Sequence, residues 1–306
     1  MRSKIYFFIP IRLPDRVVQG IDQVAAWQRA DGGKYSVGAS HWTLQTYVYL
    51  KEHGFTCESV EHLPDKGIIL AHRDLLPDQL RPMPKQLLIC LQADRPPHSH
   101  AQLSVVHNPC DPRIDMETVV YIPPWPQIGM FPRSENRRDV FENIAYFGWK
   151  HNLAAELQDP RWHKSLRSLG LRFQMVTESE RDMWGDFSNI DSVIAVRSFS
   201  SGTYYNKPAL KLFNAWHAGV PAILGVESAY RAERKSDLDY IEVRSIDEVI
   251  SALLLLRDNK SLREAMIYNG HERAKETQAK VIVSLWVNML NIVAIPRYYK
   301  RLNDAD

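Results

Sequence analysis

The residues best suited to chemistry sit together in 191–228, DSVIAVRSFSSGTYYNKPALKLFNAWHAGVPAILGVES, which reads as strand, polar loop, helix, tight stop, strand and acidic exit. A strand over 191–197 delivers Arg197 to its C-terminal end, where open parallel sheets bind ligands. The loop after it supplies hydroxyls, Thr203 among them, and a glycine, Gly202, ahead of a helix predicted to start at Asn206 or Lys207 before Pro208. Unsatisfied N–H groups and the positive end of a helix attract phosphate there. On that helix Lys207, Lys211 and Asn214 fall at i, i+4 and i+7, so two cations would face a diphosphate while Leu212, Ala215 and Trp216 turn toward the sheet. Gly219 followed by Pro221 marks its end. Taken alone, either lysine would read as the solvated face of an amphipathic helix; Arg197 and the Ser/Gly loop beside them favour the anion site.

The elements that must position these residues are legible on both sides of them. Strand-like runs at 5–10, 68–70 and 86–91 alternate with segments such as 40–54, whose apolar face holds Trp42, Tyr47 and Leu50 and which ends at Gly54. Such alternation predicts a parallel sheet. The proline-dense stretch 107–140 cannot continue a sheet or a helix, and the domain linker is placed within it. The βα rhythm resumes at 143–150, 171–176, 191–197, 220–224 and 239–243, with helices at 246–259 and 262–277, a doubly wound pattern. An apolar helix over 281–295, stopped by Pro296, is expected to pack across both domains. Its basic end, Arg297, Lys300 and Arg301, offers peripheral membrane contact as the minority alternative.

Bulk properties narrow the classes. A chain of 306 residues suits two domains. With 38 Lys and Arg against 36 Asp and Glu, the net charge of +2 gives no global field to hold nucleic acid, so an anionic ligand must be bound locally. Cys57, Cys90 and Cys110 are odd in number and lack CxxC spacing, which argues against a disulfide framework or zinc site and for a reducing cytoplasm. The first residues are basic then apolar, but Pro10, Arg12 and Pro14 interrupt them, so they read as a strand rather than a signal peptide. No apolar run reaches the roughly 18 residues of a membrane span. GxGxxG and the P-loop pattern are both missing, against a dinucleotide-dependent dehydrogenase and a P-loop ATPase.

The segment KPALKLFNAWHAGVPAIL resembles the donor-binding helix of GT-B-fold Leloir glycosyltransferases, where a polar or acidic helix residue precedes a small-residue run, a Gly-Val-Pro and a buried strand. SLREAMIYNGHERA resembles the helix after the last strand of those families, and the closing helix resembles the one that crosses back onto the N-terminal domain. The resemblance covers 143–300. It implies an α/β GT-B fold, two Rossmann-like βαβ domains facing a cleft: an acceptor domain at 1–125, a linker at 126–142, a donor domain at 143–280 and a crossover helix and tail at 281–306. It also implies a nucleotide-sugar donor, a carbohydrate or other hydroxyl acceptor and no separate cofactor. Many retaining members hold the donor ribose with a Glu on this helix; Asn214 stands in that place, and Asn206 stands where a second acid would fall. Glu227, just past the strand, is the replacement carboxylate for a hydroxyl, or else a helix cap. AYFGWKHN (145–152) resembles the first strand and glycine loop of the donor domain, which would bring Lys150 to the phosphates.

Acceptor contacts in these families lie on loops leaving the N-terminal sheet. There one strand ends in His72, Arg73 and Asp74, and another in Asp94 and Arg95. An imidazole beside a carboxylate can take a hydroxyl proton near neutral pH, so His72, Asp74 and Asp94 are the catalytic candidates, with His41 and His107 as further options. A surface turn with a local salt bridge is the plain alternative. In the expected mechanism Arg197, Lys211 and the helix start neutralise the diphosphate as the anomeric bond breaks. The resemblance implies protein cations in place of a bound metal, and Asp-x-Asp spacing is expected only at Asp304 and Asp306 in the tail, so metal independence is expected. An epimerase or hydrolase of nucleotide sugars, or a non-catalytic binding module, would share the donor pocket.

Overall fold

Strands buried on both faces need cover on both sides, and the chain supplies it twice, in two units that are each a wholly parallel sheet with helices. The computed structural model describes residues 3–30, 37–200 and 202–304. Unit 1 comprises the residues up to Trp125, Tyr205–Pro208 and the residues from Gln278 onward; unit 2 comprises Pro126–Tyr204 and Ala209–Thr277.

Unit 1 runs through β1 (Ile5–Phe8), α1 (Ile21–Ala30), the single turn α2 (Val37–Ala39), a π-turn (Ser40–Leu44) leading into α3 (Gln45–Glu52), β2 (Glu58–Val60), β3 (Gly67–His72), β4 (Gln86–Ala93), β5 (Leu103–Val106) and β6 (Val119–Tyr121). Its sheet order is β2-β1-β3-β4-β5-β6. Every residue of β3 and β4 is buried, which is why both read as unbroken apolar runs. The three-residue strands β2 and β6 sit at the edges. β6 forms inside the proline-dense stretch that was expected to carry no strand; it ends just before Pro123 and Pro124, so the prolines bound it rather than prevent it.

Unit 2 contains β7 (Asn143–Phe147), α4 (Pro160–Ser168), β8 (Arg172–Val176), β9 (Ser192–Ala195), α5 (Leu210–Ala218), β10 (Ala222–Gly225), α6 (Ser228–Glu233), β11 (Ile241–Val243), α7 (Ile246–Asp258) and α8 (Lys260–Ala274). The order β11-β10-β9-β7-β8 reverses direction at the β7/β9 pair, where Ile144 aligns with Ser192 and Ala145 with Val193. Phe213 and Trp216 of α5 pack on one face, Trp162, Leu166 and Leu253 on the other. Residues 126–142 are tied into this unit: Phe131 N–H donates to Gly185 O, and Arg133 and Arg137 both bind Asp191.

Two helix ends depart from the sequence reading. The helix expected from Asn206 or Lys207 starts at Leu210, and Tyr205–Pro208 belongs to unit 1, so Lys207 is not one turn before Lys211 on a shared face. Pro296 does not end the closing helix. α9 (Ala279–Asn288) passes through a π-turn (Met289–Ala294) into α10 (Ile295–Asn303), with Pro296 in the first turn of α10. The wider π-turn accommodates a ring that would clash with the preceding turn of a regular helix. α9 packs on α3, and α10 lies against β3 and β4, which returns the chain to unit 1.

Candidate functional site

The sheet order of unit 2 fixes where a ligand site can form: at the C-terminal edge, where β7 and β9 lead their chains in opposite directions. Directly after β7 comes Gly148 at φ +147°, a backbone that residues with side chains rarely adopt, and a Cβ there would lie 2.9 Å from the Tyr146 hydroxyl and 3.2 Å from Lys211 Nζ. The Tyr146 hydroxyl donates to Trp149 O at 2.8 Å, and Lys150 N–H donates to Glu178 Oε2 at 2.9 Å, which fixes the loop.

Lys211, in the first turn of α5, is therefore brought directly against the Gly148 backbone. Its ammonium lies 5.7 Å from the Trp184 ring centre and makes no hydrogen bond or ion pair among the described residues. Burial, followed by repulsion from Arg197, pushes its pKa down to about 8. A small apolar cavity between Phe147, Phe187 and Ala195 reaches the stem of Lys211 and Asn214.

Arg197, just past β9, is held rigidly. Its Nε donates to Glu227 Oε2 at 3.0 Å and its Nη1 to Asn152 Oδ1 at 2.6 Å, and its guanidinium lies 5.9 Å from the Tyr204 ring centre. Burial alone would lower its pKa, but Glu227 outweighs burial and the value is raised. Glu227 takes the N-cap position of α6, yet it is buried and turns its carboxylate to Arg197 instead of capping the helix. Gly202 packs under Tyr204, where a Cβ would come within 2.6 Å of the ring, and exposed Thr203 accepts from Ser228 N–H through its carbonyl. Lys150 is exposed at the same loop.

Of the eight residues predicted for donor binding, Lys150, Arg197, Gly202, Thr203, Lys211, Asn214 and Glu227 lie in unit 2, while Lys207 does not. Lys207 Nζ instead binds Asp94 Oδ2 at 2.5 Å within unit 1. Asn214 is buried, and its Oδ1 accepts from Gln127 N–H at 2.9 Å, so that oxygen is engaged by the backbone. Asn152, Trp149 and Trp184 were missed by sequence reasoning. Only the glycine of the β7 loop pointed toward the first two, and Trp184 carries no spacing signal.

The predicted catalytic residues do share one place, the ends of β3 and β4 in unit 1, but not as free acids and bases. Arg95 grips Asp74 through both oxygens, at 2.8 and 3.0 Å, and this hydrogen bonding holds the Asp74 pKa low. Burial raises the Asp94 pKa, but Lys207 and Arg95 outweigh it, and the net shift is downward. His72 is 1% exposed, its Nδ1 accepts from Asp74 N–H at 3.1 Å, and burial pushes its pKa down to about 4. In this state the acceptor nitrogen of the imidazole is occupied and the ring is shut from solvent. His107 donates from Nδ1 to Ile122 O, stacks on Trp42 at 4.0 Å and is pushed down to about 3 by burial.

Asp-x-Asp spacing also occurs inside the chain, at Asp237 and Asp239. Asp239 is consumed by Arg273, Asn269 and the N–H groups of Lys235 and Ser236, and Asp237 pairs with Arg234. No group of three or more potential metal ligands occurs among the described residues.

No protein-family model and no curated protein matches the chain. Solved structures do. TarM of S. aureus aligns at a TM-score of 0.53 and 9% identity over 81% of this chain, which spans only 59% of TarM. HepE of Anabaena, in complex with UDP and glucose, aligns at 0.52 and 11% identity over 94% of this chain and 99% of its own. The pneumococcal O-GlcNAc transferase GtfA, in complex with UDP and GlcNAc, gives 0.50 and 12% identity over 83% of this chain and 60% of its own. The shared architecture, two parallel Rossmann-like sheets with the C-terminal helix returning to the first, is the GT-B fold, and this chain has it.

Proposed function

We propose that this protein is a glycosyltransferase that takes a sugar from a nucleoside diphosphate sugar and passes it to a hydroxyl acceptor without a metal ion. The observation that carries the reading is Lys211: a cation with no carboxylate partner among the described residues, packed against the Gly148 backbone at the switch point of a parallel sheet. A cation kept in such surroundings is stabilised by an incoming anion, and a diphosphate leaving group develops its charge as the anomeric bond breaks. Arg197, braced by Glu227 and Asn152, is the second fixed cation on the same edge. Binding of UDP by HepE and GtfA supports uridine as the first base to try. In this reading His72, Asp74 and Asp94 brace the ends of β3 and β4 and do not carry the acceptor proton.

The test is a thermal-shift titration with UDP, GDP, ADP, CMP and dTDP, run beside Lys211→Ala. A nucleotide at 100 times its Kd stabilises the protein by about 2.7 kcal/mol. One diphosphate should shift the wild type and fail to shift the variant; no shift with any of them would remove the reading. Activity that is lost on chelation and restored by manganese would overturn the metal-free part alone.

A further inference from the structure

The outer face of α9 and α10 carries exposed large apolar side chains. Leu285, Ile292 and Tyr299 recur every seven residues and are 39%, 71% and 39% exposed. The inner face is not free: Trp286, Leu290 and Tyr298 are buried. The stretch Lys260–Asn303 is long and apolar enough to cross a membrane by length and composition, although polar residues interrupt its apolar runs. Within that stretch α9 and α10 pack their inner face into unit 1 and turn Leu285, Ile292 and Tyr299 outward, interspersed with exposed Ser284, Asn288 and Asn291.

Two exposed methionines extend that side. Arg301 Nη2 donates to Met83 O at 3.1 Å, and Arg297 Nη2 donates to the carbonyl of Glu117, the residue after Met116, at 2.5 Å, so both loops flank α10. Met83 and Met116 are 43% and 56% exposed. Arg81, two residues before Met83, Lys300 of α10 and Lys66 are exposed and form no ion pair among the described residues, whereas Arg297 pairs with the exposed Glu117 beside Met116 at 3.6 Å. Lys66 immediately precedes Gly67, the start of β3, on which α10 packs.

We infer that this face binds the surface of an anionic membrane, with α9 and α10 lying in the plane of the headgroups. Large apolar side chains interleaved with unpaired cations and a tyrosine are what such an interface accepts: the apolar groups enter the acyl boundary and the cations meet lipid phosphates. A two-fold pairing of copies through the same face would gather the unpaired cations of both copies, Lys300 and Arg81 of each, into one interface, which disfavours a second copy as occupant. Each cation near an anionic leaflet contributes roughly a fivefold factor in partitioning.

The experiment is co-sedimentation of the full chain with phosphatidylcholine vesicles and with vesicles that also contain phosphatidylglycerol, at low and high salt. Sedimentation should require the anionic lipid and weaken with salt. It should fall at least about tenfold in Ile292→Asp and in the double variant Arg81→Glu, Lys300→Glu. These positions are exposed, so melting temperature and nucleotide binding should stay at wild-type values, a control independent of the donor site. Equal sedimentation of wild type and variants, or none with anionic vesicles, would overturn the inference. So would a concentration-dependent dimer that Ile292→Asp dissociates, because it would make a second copy the occupant.

Discussion

Lys211 carries a cost in stability and a proposed role in diphosphate binding, which can be measured separately. Its pKa, lowered by burial first and Arg197 second to about 8, means the unliganded fold resists its charge. A lysine whose folded pKa lies below its unfolded value destabilises the fold fully below the folded value, and the penalty disappears as pH rises toward the unfolded one. Lys211→Met should therefore stabilise the unliganded protein at neutral pH, by no more than about 3 kcal/mol, while abolishing diphosphate binding. Denaturant melts with and without nucleotide test both halves. If the variant melts no higher than the wild type, the lysine is not strained. In the wild type, nucleotide affinity should be highest below about pH 8 and decline above it, with proton uptake on binding. Calorimetry in buffers of different ionisation enthalpy reads that uptake.

At the scale of an element, α5 is set by its two ends. Gly219 closes it in the left-handed conformation, φ +68°, with its N–H on Ala215 O and Trp216 O, and a Cβ would sit 3.1 Å from the His271 ring of α8. Gly219→Ala should cost about 1–2 kcal/mol, from left-handed strain plus displacement of His271, read as a lower urea midpoint with unchanged slope. At the other end of the site, Gly148→Ala should act differently. The loop cannot keep φ +147° with a Cβ against Tyr146 and Lys211, so nucleotide binding should fall by more than tenfold. Circular dichroism should remain that of the wild type. A variant that binds normally would show that the loop does not need its observed backbone.

Across the whole molecule the titrating groups are unevenly shared. His72 and His107 are buried neutral in unit 1, lowered by burial to about 4 and about 3. Their folded values lie below the unfolded one near 6.5, so they cost nothing above that pH and destabilise progressively as pH falls toward 4 and 3. Stability should drop steeply below about pH 6.5. His107→Phe, which keeps a ring against Trp42, should flatten the drop even though loss of the bond to Ile122 O lowers the plateau at neutral pH. Urea midpoints at a series of pH values give both quantities. A slope unchanged by the substitution would remove His107 from the acid response.

The sequence alone determined the alternating βα pattern, most strands and the helix stop at Gly219, and it offered Arg197 and Lys211 as candidates, because parallel-sheet burial and chain reversal leave local marks in apolar runs, glycine and proline. Tertiary structure decided the rest. Lys207 looks like the partner of Lys211 along the chain, but the helix begins at Leu210 and Lys207 pairs with Asp94, more than a hundred residues away. His72 looks like a base beside Asp74, but only the fold shows that it is buried with its Nδ1 accepting from the Asp74 N–H. Asn152 and Trp184 reach the site from separate loops with no common spacing. Local sequence records what each segment must do with its own backbone; charge state, desolvation and partner choice are set by groups brought close only when the sheets assemble.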